Sequence, residues 1–436
     1  MSETAVLPTA RNVSGSLRLP GDKSMSHRYA MLAGIARGCS RIENFATGAV
    51  CASTVECMRA LGCEVQREEP QAGRGGTPVL EIEGSGVVLR SPGRPLHCGN
   101  SGSTMRMLSG ILAGQEFRSE LTGDASLSRR PMARIIEPLR AMGADISGEG
   151  NRPPLFIQGG KLRGVNYTLP VASAQVKSCL LFAGLYAEGE TRIIEPARTR
   201  DHTELALRAF GAEVSNPERN QWCIRGGQAL HPVHVVVPGD ISTGAFFLCA
   251  AALFRDSNLV FDNLLLNPTR AVLLDVLRAL GLRLSVLHVE ERHGELAGVV
   301  QARFGELRGL TVSGATTAAL IDELPVLAAI APYTAEGVEI RDARELRVKE
   351  SDRIAAVAAN LRAMGAQVEE REDGWRIPGG QRLHGAELQS FDDHRIAMAF
   401  AISALRAEGE SRMNGAEAAR ISFPEFYSTL ATVMER

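Results

Sequence analysis

Aromatic residues are scarce in this chain: Phe, Trp and Tyr together make up 5% of it, with only 2 Trp and 5 Tyr. Its interior must be filled by Ala, Leu and Val, with close backbone approaches at some of the 44 Gly. Net charge is nearly absent as well. The 48 Lys and Arg against 50 Asp and Glu leave −2, so no global basic field exists to hold nucleic acid. Long apolar runs are missing. The longest, around residues 244–254, is far shorter than the ~20 residues that span a bilayer. Residues 1–10 have neither the basic start nor the apolar stretch of a secretory signal, so the expected location is cytoplasmic. The 8 Cys include no Cys-x-x-Cys, and the six-residue steps between Cys51, Cys57 and Cys63 suit neither a zinc knuckle nor a disulfide framework. They read as reduced, mostly buried thiols. With 44% hydrophobic and 22% charged residues, collagen, coiled coil and disorder are excluded.

What the chain does have is repetition. One phrase recurs five times: Met58-Arg-Ala-Leu-Gly-Cys-Glu-Val65, Leu139-Arg-Ala-Met-Gly-Ala-Asp-Ile146, Leu207-Arg-Ala-Phe-Gly-Ala-Glu-Val214, Leu277-Arg-Ala-Leu-Gly-Leu-Arg-Leu284 and Leu361-Arg-Ala-Met-Gly-Ala-Gln-Val368. Each reads as a helix end, a left-handed Gly just past it, and the start of a strand. A second phrase alternates with it: a helix of small apolar residues, a turn, then a strand. It occurs at 32–44, 109–122, 182–195, 250–262, 327–341 and 401–414. Two helices per unit of roughly 70 residues, alternating with strands, indicate α/β packing. Shared wording favours duplication over chance similarity of helix–Gly–strand junctions.

Polar motifs mark the helix starts. Leu19-Pro-Gly-Asp-Lys23-Ser24-Met-Ser26-His27-Arg28 combines a turn, a helix N-terminus, an ammonium and a guanidinium, which suits a phosphate or carboxylate. It is not a Walker A loop. Cys98-Gly99-Asn100-Ser101-Gly102-Ser103-Thr104-Met105-Arg106 lets backbone approach a ligand at Gly102. Gly123-Asp-Ala-Ser-Leu-Ser-Arg129-Arg130-Pro131-Met132 sets two arginines before a Pro suited to a first helical turn. Val171-Ala-Ser173-Ala174-Gln175-Val-Lys177-Ser178 and Arg198-Thr-Arg200-Asp-His202-Thr add further helix-start polar groups.

Three more segments carry carboxylates. Ile321-Asp322-Glu323-Leu324-Pro325 sets acids in an apolar neighbourhood, which suits raised pKa values and proton transfer. Arg344-Glu-Leu-Arg347-Val-Lys349-Glu350-Ser351-Asp352-Arg353 and Phe391-Asp392-Asp393-His394-Arg395 also lead into helices. Taken singly, each motif has a plain reading as a cap, a turn or a solvated charge face. Asp201-His202, His231 and His234 read as structural, and Asp393-His394 lacks a third metal ligand. Together the motifs describe a positive site for small polyanions, bound without a metal.

In this order, these motifs resemble the 5-enolpyruvylshikimate-3-phosphate (EPSP) synthase family over about residues 17–427. The Ala-Ser-Ala-Gln, Arg-Asp-His-Thr and Ile-Asp-Glu wording is similar to its bacterial second class. The resemblance implies an α/β, two-domain enolpyruvyl transferase fold, an inside-out α/β barrel of six βαβαββ repeats. Residues 1–20 with 239–436 would form one discontinuous domain and 21–238 the other, three repeats each, with the active site in the cleft between them. It implies transfer of enolpyruvyl from phosphoenolpyruvate to the 5-hydroxyl of shikimate 3-phosphate, in the pathway to chorismate and aromatic amino acids. The catalytic groups implied are Asp322, Glu350 and Lys23. Shikimate 3-phosphate would be held by Lys23, Ser24, Arg28, Ser173, Ala174, Gln175, Arg200, Asp322 and Lys349. Phosphoenolpyruvate would be held by Lys23, Asn100, Gly102, Arg130, Gln175, Arg353, His394 and Arg395. No metal or cofactor is implied, the protein is expected to be a monomer without nucleic-acid or membrane partners, and glyphosate competes with phosphoenolpyruvate in this family. One departure stands near the C-terminus: where part of the family has Lys two residues before a Phe-Pro pair, this chain has Ile421, beside Arg420.

Two other readings stay open at this level. The sister transferase acting on UDP-N-acetylglucosamine carries a reactive Cys in its loop, and residues 123–132 here have none. A catalytically silent anion-binding protein would keep the basic groups without needing the acids.

Overall fold

The computed structural model describes residues 3–68 and 77–436. The chain divides into two compact units. One comprises residues up to Leu19, Pro238–Glu291 and Leu296–Arg436; the other comprises Pro20–Val237 with Arg292–Glu295.

The Pro20–Val237 unit contains three four-stranded sheets of one design. In the first, Arg37–Glu43 lies parallel to His234–Val236 and antiparallel to Val79–Ser85, which pairs with Glu64–Glu68. The second joins Leu96–His97, Arg118–Thr122, Leu155–Gln158 and Asp145–Gly148 with the same directions. The third joins Asn166–Thr168, Glu190–Ile194, Gln221–Arg225 and Val214–Ser215 likewise. Each is a βαβαββ unit: a parallel crossover over one helix, a second helix, then an antiparallel pair. The last strand of the unit, His234–Val236, supplies the parallel partner that the first repeat lacks.

The other unit repeats the scheme with edge additions. Asn12–Arg18 is the parallel partner of Asn258–Leu265, in a five-stranded sheet that also holds Arg283–Arg292, Glu295–Arg303 and Met434–Glu435. Leu310–Val312, Val338–Ile340, Gly374–Ile377 and Glu369–Arg371 form the second sheet. Glu387–Gln389 and Ser411–Asn414 form the third, with Thr4–Leu7 antiparallel at its side.

The second phrase of the repeat builds the cores. In one unit the helices Ile241–Leu253, Leu324–Ile330 and His394–Ala404 have every residue buried. A helix without a solvent face needs small residues to let its neighbours in, and these are rich in Ala. In the other unit Lys23–Ile35, Gly102–Ala113 and Ala174–Gly184 play this part. A Cβ on Gly110 would stand 2.1 Å from the carbonyl oxygen of Cys179, so only glycine permits that helix contact. The first phrase ends the partner helices. Val272–Leu280, for example, buries Leu273, Leu274, Leu277 and Leu280 along one stripe. Gly62, Gly143, Gly211, Gly281 and Gly365 have φ of +95°, +99°, +88°, +120° and +84°, the conformation the sequence pattern demanded.

All eight Cys are unpaired, and only Cys39 is exposed. Among the described residues no helix is long and apolar enough to cross a membrane. One feature departs from the sequence reading, which kept 239–436 together. Strands Arg283–Arg292 and Glu295–Arg303 are joined by His293 and Gly294, and the tip Arg292–Glu295 belongs with the Pro20–Val237 unit.

Candidate active site

In the Pro20–Val237 unit, three central helices start with a side-chain cap. Asp22 accepts from Met25 N at 2.9 Å, Ser101 from Thr104 N at 3.0 Å and Ser173 from Val176 N at 3.4 Å. Such caps satisfy orphan N–H groups and leave the positive dipole end in place. Lys23 and Ser24 occupy the first turn of Lys23–Ile35 and are half-buried. Arg28, one turn on, is 3% exposed. Its Nε donates to Thr203 Oγ1 at 2.6 Å, one terminal nitrogen to the Ser24 carbonyl at 2.7 Å, and the other to Ser178 Oγ at 2.8 Å. Burial pulls the Arg28 guanidinium down to about 10, against the pull of Glu204. By count, two N–H groups remain for a ligand. Arg28 thus ties the first and third repeats together, which its place in the sequence did not reveal.

His27 is buried beside it. Its Nδ1 lies 2.6 Å from Thr54 Oγ1, which lies 2.6 Å from Thr104 Oγ1, which donates to Ser101 Oγ at 2.7 Å. This hydroxyl chain links the first helix start to the second. Burial first, then Lys23 and Arg28, lowers the His27 pKa to about 3, so the ring is neutral.

At the second helix start, Asp124 accepts from Asn100 Nδ2 at 2.7 Å, and Asn100 Oδ1 accepts from Arg130 at 3.0 Å. The helix after Arg130 begins at Ala133, with Met132 as its cap residue, two residues beyond the Pro131 start that the sequence suggested. A Cβ built on Gly102 would stand 3.3 Å from an Arg106 terminal nitrogen and 3.4 Å from one of Arg130. Arg106 donates to Gln175 Oε1 at 2.6 Å, and Gln175 donates to Ser103 Oγ at 2.9 Å. Nothing local in the sequence marks Arg106 for a role. Its partner Gln175 and its approach to Gly102 put it among Asn100, Arg130 and Gln175. Lys177 is different: it is wholly buried against Glu195 at 2.9 Å and Glu204 at 2.6 Å, over the Trp222 ring. That makes it a core fastener. Arg200 precedes the helix His202–Ala209, whose Thr203 receives Arg28.

In the other unit the acids gather around one arginine. Arg353 begins the helix Arg353–Ala363, capped by Asp352, and is 1% exposed. It donates to Asp393 Oδ2 at 2.8 Å and to Glu350 Oε2 at 2.7 Å, and its third nitrogen lies 3.6 Å from Asp322 Oδ1. That nitrogen, Nη1, makes no hydrogen bond among the described residues. Burial pulls Arg353 down, yet Asp393 and Glu350 hold it above its ordinary value. Burial pushes the Asp393 carboxyl up, and Arg353 outweighs it, leaving Asp393 below the usual range. Lys349 Nζ stands 3.9 Å from Asp322 Oδ1 and 3.3 Å from Glu345 Oε1. Arg395 donates to the Asp322 carbonyl at 2.8 Å and approaches Glu323 at 3.9 Å. His394 is buried as the first residue of its helix, behind the cap Asp393. The apolar neighbourhood expected for Asp322 is therefore replaced by a cationic one. All six candidates of this unit fall in this one cluster: Asp322, Lys349, Glu350, Arg353, His394 and Arg395.

Sequence reasoning missed Asp393 as the partner of Arg353, and a network at the start of Ile241–Leu253. There Asp240 caps Ser242 N at 2.8 Å, Arg270 donates to Ser242 Oγ at 2.6 Å, and Ser242 donates to Glu323. A signal existed: Pro238-Gly239-Asp240 repeats Pro20-Gly21-Asp22 word for word. Among the described residues no cluster of three His, Cys, Asp or Glu is arranged to hold a metal ion.

Comparison with known proteins shows the family and the fold. The model of the EPSP synthase (3-phosphoshikimate 1-carboxyvinyltransferase) family matches residues 8–430. The chain is 58% identical, over the whole of both chains, to the 3-phosphoshikimate 1-carboxyvinyltransferase of Koribacter versatilis (strain Ellin345). It is 53% identical to that of Solibacter usitatus (strain Ellin6076), covering 98% of each. Among solved structures, the EPSP synthase of Acinetobacter baumannii superposes with a TM-score of 0.87 at 39% identity, covering 100% of this chain and 98% of that one. With a family model that spans residues 8–430 and full-length identity of 58%, this chain belongs to the EPSP synthase family.

Proposed function

We propose that two clusters, one in each unit, share the work of the family's reaction, with Asp322 as the base. The reaction transfers the enolpyruvyl group of phosphoenolpyruvate to the 5-hydroxyl of shikimate 3-phosphate, giving EPSP and phosphate by addition and elimination. In the addition, the hydroxyl gives its proton to Asp322, its oxygen bonds to C2 of phosphoenolpyruvate, and C3 gains a proton. In the elimination, C3 loses a proton, the C2–O bond to phosphate breaks and the double bond returns. Glu350 and Lys23 handle the proton at C3. Lys23, Arg28, Gln175, Arg200 and Lys349 hold shikimate 3-phosphate, with Ser24, Ser173 and Ala174 at the same helix starts. Arg130, Arg353 and Arg395 hold phosphoenolpyruvate, with Asn100, Gly102 and His394 beside them. Guanidinium forks match carboxylate and phosphate geometry. Fixed charges that need not reorganise are the main means of stabilising such a transition state.

One observation carries the assignment of the base. The Asp322 carboxylate is 21% exposed and flanked by Arg353 at 3.6 Å and Lys349 at 3.9 Å. It combines an open side with two cations, whereas Asp393, which also binds Arg353, is wholly buried. Asp322→Asn tests it. The amide keeps the shape but takes no proton, so turnover should fall by about 10²–10⁴-fold with binding of shikimate 3-phosphate retained. Near-normal turnover would remove Asp322 from this role. The reading also takes the protein as a cytoplasmic monomer that binds no nucleic acid; a net charge of −2 supports the last of these.

A further inference from the structure

The turn at His293-Gly294 has φ of +52° and +80°, as in a type I′ hairpin connection. Such a two-residue turn fixes the register, and with it the face to which the next residue, Glu295, belongs. Glu295 is 2% exposed, and its Oε1 lies 2.6 Å from Nδ1 of the buried His202. A carboxylate accepts, so the ring donates from Nδ1. The tip is seated at two further points. A Cβ on Gly294 would lie 2.9 Å from Leu205 Cδ2, and His293 Nε2 lies 3.3 Å from the His234 carbonyl.

Burying an imidazole and a carboxylate is costly, and the hairpin is already held by its sheet, so an apolar pair would serve packing as well. What the polar pair adds is a fixed ring on the first residue of His202–Ala209. The next residue, Thr203, receives Arg28 Nε at 2.6 Å, and Arg200 lies two residues before the ring. Glu295 also acts on Arg28 through its charge, favouring the cation together with Glu204 and Asp22.

We propose that Glu295 is a positioning residue for shikimate 3-phosphate: it fixes the His202 ring, and thereby Thr203, the Arg28 guanidinium and the end of the Arg200 loop. The proposal rests on the assignment of Arg28 and Arg200 to that substrate. Groups that orient the side chains around a bound metal typically matter by about ten- to a hundredfold, and Glu295 orients the side chains around a phosphate in the same way.

Two conservative variants of the full chain test it, by calorimetric titration with shikimate 3-phosphate alone and by the KM for phosphoenolpyruvate. Glu295→Gln keeps the reach and an accepting oxygen, and should bind within about twofold of wild type. Glu295→Asp keeps the charge but withdraws the oxygen by about 1.5 Å. It should weaken shikimate 3-phosphate by about tenfold and leave the KM for phosphoenolpyruvate within about twofold. Wild-type affinity in the Asp variant, an equal loss in the Gln variant, or a parallel rise in the phosphoenolpyruvate KM would overturn the proposal. Arg200→Ala separates the possible failures. If it weakens shikimate 3-phosphate while Glu295→Asp does not, the role of Glu295 alone is wrong. If it changes nothing, the ligand assignment falls and the proposal with it.

Discussion

At Gly102 a single hydrogen decides how much room lies under two guanidinium groups. The residue opens the helix Gly102–Ala113, and a methyl there would meet the flexible ends of Arg106 and Arg130 at 3.3 and 3.4 Å. Alanine should therefore leave the fold intact and crowd the ligand side. Glyphosate is longer than phosphoenolpyruvate, so the crowding should fall on it more heavily. Gly102→Ala is expected to raise the glyphosate inhibition constant by about tenfold more than the KM for phosphoenolpyruvate, ~1.4 kcal/mol of discrimination. Equal changes in the two constants would refute steric discrimination at this residue. His27 gives a second residue-scale expectation. Its pKa falls from 6.5 to about 3 on folding, so the unfolded chain binds a proton that the folded chain refuses. Stability from this residue is intact above pH 6.5 and is lost as pH falls toward 3, at up to about 1.4 kcal/mol per pH unit. Replacing His27 by Asn should flatten the pH dependence of the unfolding free energy in that window by about one proton. Identical slopes for the two proteins would show that the ring titrates normally in the fold.

At the scale of elements, the phrase Leu-Arg-Ala-x-Gly was readable because one physical demand dictates it. A helix that must turn at once into a strand needs a positive φ, and glycine meets that demand most cheaply. The same phrase conceals different surroundings. A Cβ on Gly365 would have His384 Cδ2 at 3.4 Å as its nearest contact, whereas on Gly281 it would stand 2.0 Å from the Glu306 carbonyl oxygen. Gly365→Ala should cost about 1–2 kcal/mol for its backbone conformation alone. Gly281→Ala should cost more, because the backbone of the neighbouring loop at Glu306 must move, and denaturant melts of the two variants would reveal the order. Equal losses would mean that conformation, not space, governs both sites. Pairings between distant segments were not readable in this way. Nothing local marks Lys177 as a buried partner of Glu195 and Glu204, or Glu295 as the partner of His202. Likewise the Asp322 neighbourhood looked apolar because its sequence neighbours are. Its cations arrive from Lys349 and Arg353, about thirty residues away.

Over the whole molecule, the repeat arithmetic gave the α/β class, because six small-residue helices and five glycine-ended ones leave few other ways to bury their apolar faces. The order of the polar motifs gave the family, which the full-length similarity establishes. The start of the fourth central helix was overlooked although Pro238-Gly239-Asp240 repeats Pro20-Gly21-Asp22, since Ile241 stands where Lys23 would have drawn attention. Its network of Asp240, Ser242, Arg270 and Glu323 emerges only once the chain is folded. Phosphate release from phosphoenolpyruvate by the wild-type chain is the measurement to make, with shikimate 3-phosphate present, absent, or replaced by UDP-N-acetylglucosamine. Release should require shikimate 3-phosphate and appear in equal amount with EPSP. No release with both substrates, or release that depends on the nucleotide sugar instead, would contradict the function assigned to these residues.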